Sequence, residues 1–338
     1  MTLESIKIVI PMAGYGTRLR PQTWSRPKQL ISLAGKGVLS HSLDMFNTLP
    51  DSTQKVEYIF IVGYLGDKIK EYMQENHPEL NVHYVIQDEM RGQSHAIHLA
   101  KEYLQGPMLM VFADTLIQTH LGFLGNTDSD VIAWVKPVPD PRRFGVTELG
   151  DDGYVKRLIE KPKEMYNNLA VVGFYYFSEA GELLSAIEEQ MNRGEMLKGE
   201  FFLADAVNIL LEHGARMTTH RVDVWLDAGT AEAVLDTNRY LLNNNHDNSL
   251  EVSHRTDVTV LPPVYVHPSA DIRSSVIGPY ASIGANCVVK NSVIRDSILE
   301  NQAHTEDIVL DCSLIGQNAS VLGHPRSFNV GDDSEITL

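Results

Sequence analysis

Two different rhythms of apolar and polar residues divide this chain. Over roughly the first 240 residues, short β-branched runs take turns with segments of helical spacing. Ile6–Ile10, Tyr58–Val62, Val82–Ile86 and Met108–Ala113 read as strands, and Val131–Val135, Tyr154–Ile159 and Val171–Phe177 follow. Helical spacing fills Val38–Leu49, Asp67–Asn76 and Ser94–Leu104, the last with Ser94 expected as its N-cap. This alternation predicts an α/β domain with a mostly parallel sheet. Ligands of such sheets sit outside the carboxyl ends of the strands, where Gly14, Gly63, Gln87 and Asp114 fall.

The second rhythm has a period of six. Val260, Val266 and Ile272 are six apart, as are Ile277, Ile283 and Val289, and then Val309, Ile315 and Val321. Small residues (Ala270, Ala281, Cys287, Ala319) recur at fixed offsets from these. One inward aliphatic per face, repeated in this way, predicts a short parallel β-helix with room for about three coils. The polar stretch at 243–248 places the boundary near 245, giving domains 1–245 and 246–338.

Composition narrows the class. With 43% hydrophobic and 21% charged residues the chain reads as globular and soluble. Its apolar runs are far too short to span a bilayer, and the N-terminus lacks the basic region of a signal peptide. Two late cysteines, Cys287 and Cys312, make no disulfide framework and fit a cytoplasmic setting; Cys287 reads as an inert interior residue. The net charge of −16 disfavours nucleic acid and anionic membrane as partners. Residues 5–43 depart from that average, with six Lys or Arg and no acid, so small anions would be drawn there.

Within that basic segment, Gly14-Tyr-Gly16-Thr17-Arg18-Leu19-Arg20-Pro21, then Thr23 and Arg26-Pro27-Lys28, follow the first strand directly. Glycines here let backbone N–H groups approach a phosphate. The run is neither a G-x-G-x-x-G fingerprint nor a P-loop. Arg18 offers a fork for phosphate oxygens and Lys28 a point charge.

These residues resemble the signature of the sugar-1-phosphate nucleotidyltransferases, and the resemblance covers about 5–240 in family order. Gln87 with Gly92, Phe112-Ala-Asp114, Phe144-Gly145-Val146, Glu160-Lys161-Pro162, Asn168 to Gly173, Gly199-Glu200 and Trp225 to Thr230 carry it onward. The hexad tail, with Lys28-Gln29-Leu30, resembles the long glucose-1-phosphate thymidylyltransferases. That likeness implies a Rossmann-like catalytic domain followed by a left-handed β-helix. Ala113, Thr115 and Lys198 stand where relatives usually carry glycine, asparagine and arginine.

The resemblance implies transfer of a nucleotidyl group from a nucleoside triphosphate to a sugar 1-phosphate, with Mg2+ held by Asp114 and Asp227. It implies that Arg18 clamps the leaving pyrophosphate and that Lys28 bridges it to the α-phosphate. Ala13, Gly14, Gly16 and Thr17 would cradle the nucleotide, and Gln87 with Gly92 would read a pyrimidine. Gly145, Glu160, Lys161, Val172 and Lys198 would hold the sugar phosphate. The attacking oxygen is already anionic, so the lack of a Ser-His-Asp or Cys-His constellation fits. The preferred substrates are dTTP and glucose 1-phosphate, with UTP–glucose and GTP–mannose pairs as alternatives. A silent relative should have lost Arg18, Lys28, Asp114 or Asp227, and all are present. An acyl-transferring β-helix is a further alternative. The tail reads instead as a packing or oligomerisation surface, making a homo-oligomer the expected assembly. His95 and His98 have the spacing of metal ligands on a helix but no third ligand in view, so they read as surface or packing residues.

Overall fold

The structure is a computed structural model; it describes residues 3–165, 167–194, 196–197, 199–324, 327 and 329–335. Two compact units are present: one spans 1–31 and 37–233, the other 32–36 and 234–338. The division falls inside the helix Ala231–Asn243, ahead of the polar stretch on which the sequence placed it.

In the first unit the strands are β1 (Ser5–Pro11), β2 (Lys55–Val62), β3 (Val82–Ile86), β4 (Met108–Val111) and β5 (Thr115–Ile117). After them come β6 (Val131–Pro137), β7 (Gly145–Leu149), β8 (Val155–Glu160), β9 (Leu169–Phe177), β10 (Met217–Arg221) and β11 (Trp225–Asp227). Strands β4, β1, β2 and β3 lie side by side and parallel, with Ser5 opposite Lys55 and Pro11 opposite Ile61. Strand β9 joins β4 antiparallel and turns the sheet into a mixed one; β6 and the β7–β8 hairpin pair with it, and β10 extends the sheet parallel to β6. A separate two-stranded ribbon sets β11 antiparallel to β5, with Asp227 opposite Thr115.

The near-continuous apolar runs follow from burial on both faces. Successive side chains of a strand point to opposite faces. Val9, Ile59 and Ile61 pack with Ile97, Leu183 and Val207 of helices α3 (Gln93–Leu99), α4 (Ala180–Arg193) and α5 (Leu203–Glu212). Ile8, Ile10 and Phe60 pack on the other face with Leu39 of α1 (Val38–Asp44) and Ile69 and Met73 of α2 (Gly66–Asn76). Helix α3 differs from expectation. It starts at Gln93, ends at Leu99, and has Gly92 rather than Ser94 at its cap position. The Ser94 hydroxyl is buried without a hydrogen-bond partner among the described residues, because the residue already lies inside the first turn.

The second unit is the expected short left-handed parallel β-helix, built from three four-stranded parallel sheets that the chain visits in rotation. Four coils are present among the described residues rather than three. Their register puts Val260, Ile277, Ile294 and Leu310 in one column, Val266, Ile283, Leu299 and Ile315 in the next, and Ile272, Val289, Thr305 and Val321 in the third. The inward residue of the fourth coil is Leu310, 8% exposed, and not Val309, 63% exposed. Cys287 is fully enclosed in this core, as expected, and burial pushes its thiol up. The short strand at Ser32–Leu33 also belongs here: the buried Glu300 carboxylate accepts from the Ser32 N–H at 2.7 Å and its hydroxyl at 2.8 Å. Among the described residues no helix is long and apolar enough to cross a membrane.

Candidate active site

The loop after β1 is pinned rather than free. Gly16 takes a left-handed φ of +61°, and a Cβ there would stand 3.0 Å from Thr23 Cγ2. The Thr23 hydroxyl donates to the Gly16 carbonyl at 2.8 Å, and Leu19 is buried beneath the turn. Gly14 has open space where a side chain would be. The loop returns through buried Gln29, whose amide donates to the Met12 carbonyl at 3.4 Å. This delivers Lys28 to the carboxyl end of β4.

There Lys28 Nζ meets Asp114 Oδ2 at 2.5 Å, and Arg18 Nη2 stands 4.0 Å from the same oxygen. Asp227 is brought beside them by the β5–β11 ribbon. The Ala228 N–H donates to the Asp114 carbonyl at 3.1 Å, and the Gly229 N–H donates to Asp227 Oδ1 at 2.9 Å. A Cβ on Gly229 would lie 2.9 Å from Arg18 Nη2, so the glycine lets the guanidinium lie against this turn. Burial acts to raise the Asp114 carboxyl, but the charge and hydrogen bond of Lys28, aided by Arg18, outweigh it and hold it below the ordinary carboxylate value. Asp227 is pushed the other way, by burial and then by the charge of Asp114.

A cavity of about 850 Å³ opens from this cluster. Arg18, Asp114 and Asp227 line it together with Gly145, Glu160, Lys161 and Val172. Gly145 and Glu160 face each other across the β7–β8 hairpin, and Lys161 Nζ lies 3.4 Å from Glu160 Oε1 and 4.9 Å above the Phe202 ring. The pairing of β9 with β6 breaks between Val171 and Tyr175, which turns Val172 and Gly173 toward the cavity. The Val172 carbonyl accepts from the Thr115 hydroxyl at 2.9 Å, so the threonine that departs from the family pattern braces this bulge. Lys198 lies outside the described residues.

Ala13, Gly14, Gly16, Thr17, Lys28, Gln87 and Gly92 do not line this cavity. Ala13 and Gln87 instead lie past the ends of β1 and β3, on either side of β2. Between them sits Gly63, where a Cβ would fall 2.9 Å from Ala13 Cβ and 3.0 Å from the Gln87 carbonyl. Gly92, at φ +95°, accepts the Phe201 backbone so closely that a Cβ would come within 2.5 Å of its oxygen. His95 and His98 diverge, the first toward Gln87 and the second toward Glu188 at 3.1 Å, so they do not converge on an ion. Sequence reasoning missed Lys136, Asp140, Arg143 and Phe202 as cavity residues. Lys136 is at the end of β6, so the strand-end rule could have found it; the other three sit on loops whose path the pattern does not fix.

The donor set suits Mg2+. Two carboxylates offer hard oxygen ligands, and Asp227 already feels the negative charge of Asp114, a repulsion that a divalent cation relieves. Two such ligands would leave the remaining positions to water and substrate oxygens, which is how Mg2+ is usually held.

Residues 7–244 match the nucleotidyl transferase family. The chain belongs to that family. Among relatives of this nucleotidyltransferase is a glucose-1-phosphate thymidylyltransferase of Streptomyces antibioticus, 29% identical and aligned over 98% of this chain and 99% of its own length. Similar too is the low-salt glycan biosynthesis nucleotidyltransferase Agl11 of Haloferax volcanii, 28% identical over 98% of this chain and all of its own. The bifunctional protein GlmU of Methanococcus maripaludis is 34% identical over 70% of this chain and 54% of its own. In fold, the nucleotidyltransferase resembles a nucleoside-diphosphate-sugar pyrophosphorylase from Vibrio cholerae, with a TM-score of 0.58 at 22% identity, covering 69% of this chain and 99% of the other.

Proposed function

We propose that this nucleotidyltransferase joins a sugar 1-phosphate to a nucleoside triphosphate, with glucose 1-phosphate and dTTP as the preferred pair. The observation that carries the reading is the Arg18, Lys28, Asp114 and Asp227 cluster opening onto the cavity that holds Glu160 and Lys161. A phosphate oxygen of the sugar phosphate attacks the α-phosphorus in line. The bond to the pyrophosphate oxygen breaks and its electron pair leaves with the pyrophosphate. No proton needs to be removed from the nucleophile, so the chain supplies positioning and charge rather than a base. Arg18 and Lys28 neutralise the leaving group, Lys161 orients the sugar phosphate, and Glu160 accepts from sugar hydroxyls. Mg2+ held between Asp114 and Asp227 would neutralise charge at the α-phosphate.

Thymine and uracil differ by one methyl, worth about 1–3 kcal/mol in a pocket, so UTP is the second reading. The full-length alignment with a thymidylyltransferase supports dTTP. Free thiols at Cys287 and Cys312 suit a cytoplasmic enzyme. The test is pyrophosphate release across four nucleotides and several sugar 1-phosphates. Release only with a nucleotide and a sugar phosphate together is expected, and it should be largely abolished in Asp114→Asn and Asp227→Asn. Near-normal rates in both variants would overturn the metal assignment.

A further inference from the structure

Gln87 ends β3 with only 5% of its surface exposed. Its amide nitrogen lies 3.4 Å from the Gly92 carbonyl and 3.4 Å from His95 Nδ1. Its Oε1 has no hydrogen-bond partner among the described residues. A backbone carbonyl only accepts, so the end of the amide that faces Gly92 must be the NH2. That leaves Oε1 as the outward atom. It also makes His95 Nδ1 an acceptor, which the ring is only when neutral and carrying its proton on Nε2.

The two acceptors are themselves held. Gly92 is confined between β3 and α3 by the Phe201 backbone, whose N–H donates to Arg91 and whose carbonyl accepts from Ser94 at 3.1 Å. His95 lies within the first turn of α3, flanked in the chain by the buried Ser94 and Ala96. Burial holds its imidazole below the ordinary value, with Arg91 and His98 adding to this and Glu89 opposing it. The ring is therefore neutral near neutral pH, and the contact with the Gln87 NH2 selects the tautomer whose Nδ1 accepts.

We infer that His95 is a positioning residue that locks the Gln87 amide with its oxygen outward, selecting pyrimidines that present a ring N–H over cytosine. Uracil and thymine offer N3–H to an acceptor, whereas cytosine N3 is itself an acceptor and would face Oε1 lone pair to lone pair. The inference rests on the reading of Gln87 as the base-contacting residue. It adds what that reading lacks, a reason for the amide to point one way.

The experiment compares kcat/KM for dTTP and dCTP, with glucose 1-phosphate, by pyrophosphate release. In the full chain dTTP should be strongly preferred. His95→Leu removes the acceptor, frees the amide to turn over, and should lower the dTTP-to-dCTP ratio about tenfold. His95→Asn can place Oδ1 where Nδ1 stands and should keep the ratio within about twofold. Equal losses for both nucleotides in His95→Leu, with the ratio unchanged, would make His95 a packing residue and overturn the inference. A chain that releases pyrophosphate from no nucleotide would instead sink the proposed function and the inference with it. Should His95→Leu not fold, N3-methyl-dTTP tests the same bond in the unaltered protein. It should react at least about tenfold more slowly than dTTP, and equal rates would overturn the inference.

Discussion

Lys28 Nζ stands 2.5 Å from Asp114 Oδ2, joining the end of the glycine loop to the end of β4. The contact explains why a largely buried carboxylate keeps its charge: the ammonium offsets the penalty that burial imposes. It also means that altering either residue alone removes the nearest charge partner of the other, leaving Asp114 only the 4.0 Å contact with Arg18. Lys28→Met should therefore lower pyrophosphate release by about 100-fold or more, and Asp114→Asn should do the same. Because they act as a unit, the double variant should be little worse than either single one. Steady-state rates of the three variants check this, and multiplicative losses would count against a shared role.

Gly92 is the strictest glycine near the candidate base site. Its φ of +95° disfavours any side chain, and a Cβ would overlap the Phe201 carbonyl at 2.5 Å and its nitrogen at 2.6 Å. Gly92→Ala should cost about 2–4 kcal/mol of stability and raise KM for the nucleotide, because the shift carries Gln87 and His95 with it. Thermal unfolding alongside nucleotide KM measures both. By contrast Gly14→Ala meets no protein atom and should leave stability within about 0.5 kcal/mol, while weakening nucleotide binding if phosphate occupies that space.

The fold was legible wherever one periodicity decided it. Tyr58–Val62 is buried on both faces, and an unbroken apolar run announces that, while in Ile6–Ile10 only Lys7 interrupts the pattern. The third coil of the β-helix escaped notice because Ile294 and Leu299 are five apart and Thr305 takes the next aliphatic position. The site was legible where chemistry concentrates in one short segment, as from Gly14 to Lys28. What stayed hidden depends on tertiary approach: Gly63 between Ala13 and Gln87, Phe201 over Gly92, and His95 turned toward Gln87 and away from His98. No spacing along the chain encodes those meetings.

A pH-dependent stability effect is expected at Glu57. Its carboxylate accepts from Lys55 and from Lys7 at 2.8 Å each, and those bonds, Lys55 first, pull its pKa from 4.5 down to about 2. A depressed native pKa contributes stability that is fully present above the unfolded value and is lost as pH falls through the native one. Glu57→Gln should thus cost about 1–2 kcal/mol at pH 7, after allowing for the exposure of Lys55. The difference should shrink as pH drops from 4.5 toward about 2. Urea unfolding of both proteins at pH 7 and at about pH 3 reads the change, and a pH-independent gap would rule the ion pair out as its source.

The fourth coil offers a sharp test of register, since two adjacent aliphatics have opposite fates. Leu310 is 8% exposed and stacks under Ile294, whereas Val309 is 63% exposed and stacks under Val293 on the outside. A strand shifted by one residue exchanges every inward and outward side chain. Val309→Asp should therefore change stability by no more than about 0.5 kcal/mol, because the carboxylate stays in water. Leu310→Asp must bury a charge or expose the coil's interior, and should cost about 3 kcal/mol or more. Hydrogen exchange across 293–322 separates the two outcomes, with protection retained in the first variant and lost in the second. If Val309→Asp proved the damaging change, the spacing of six to Ile315 would be the true register, and the fourth coil would have to be redrawn around it.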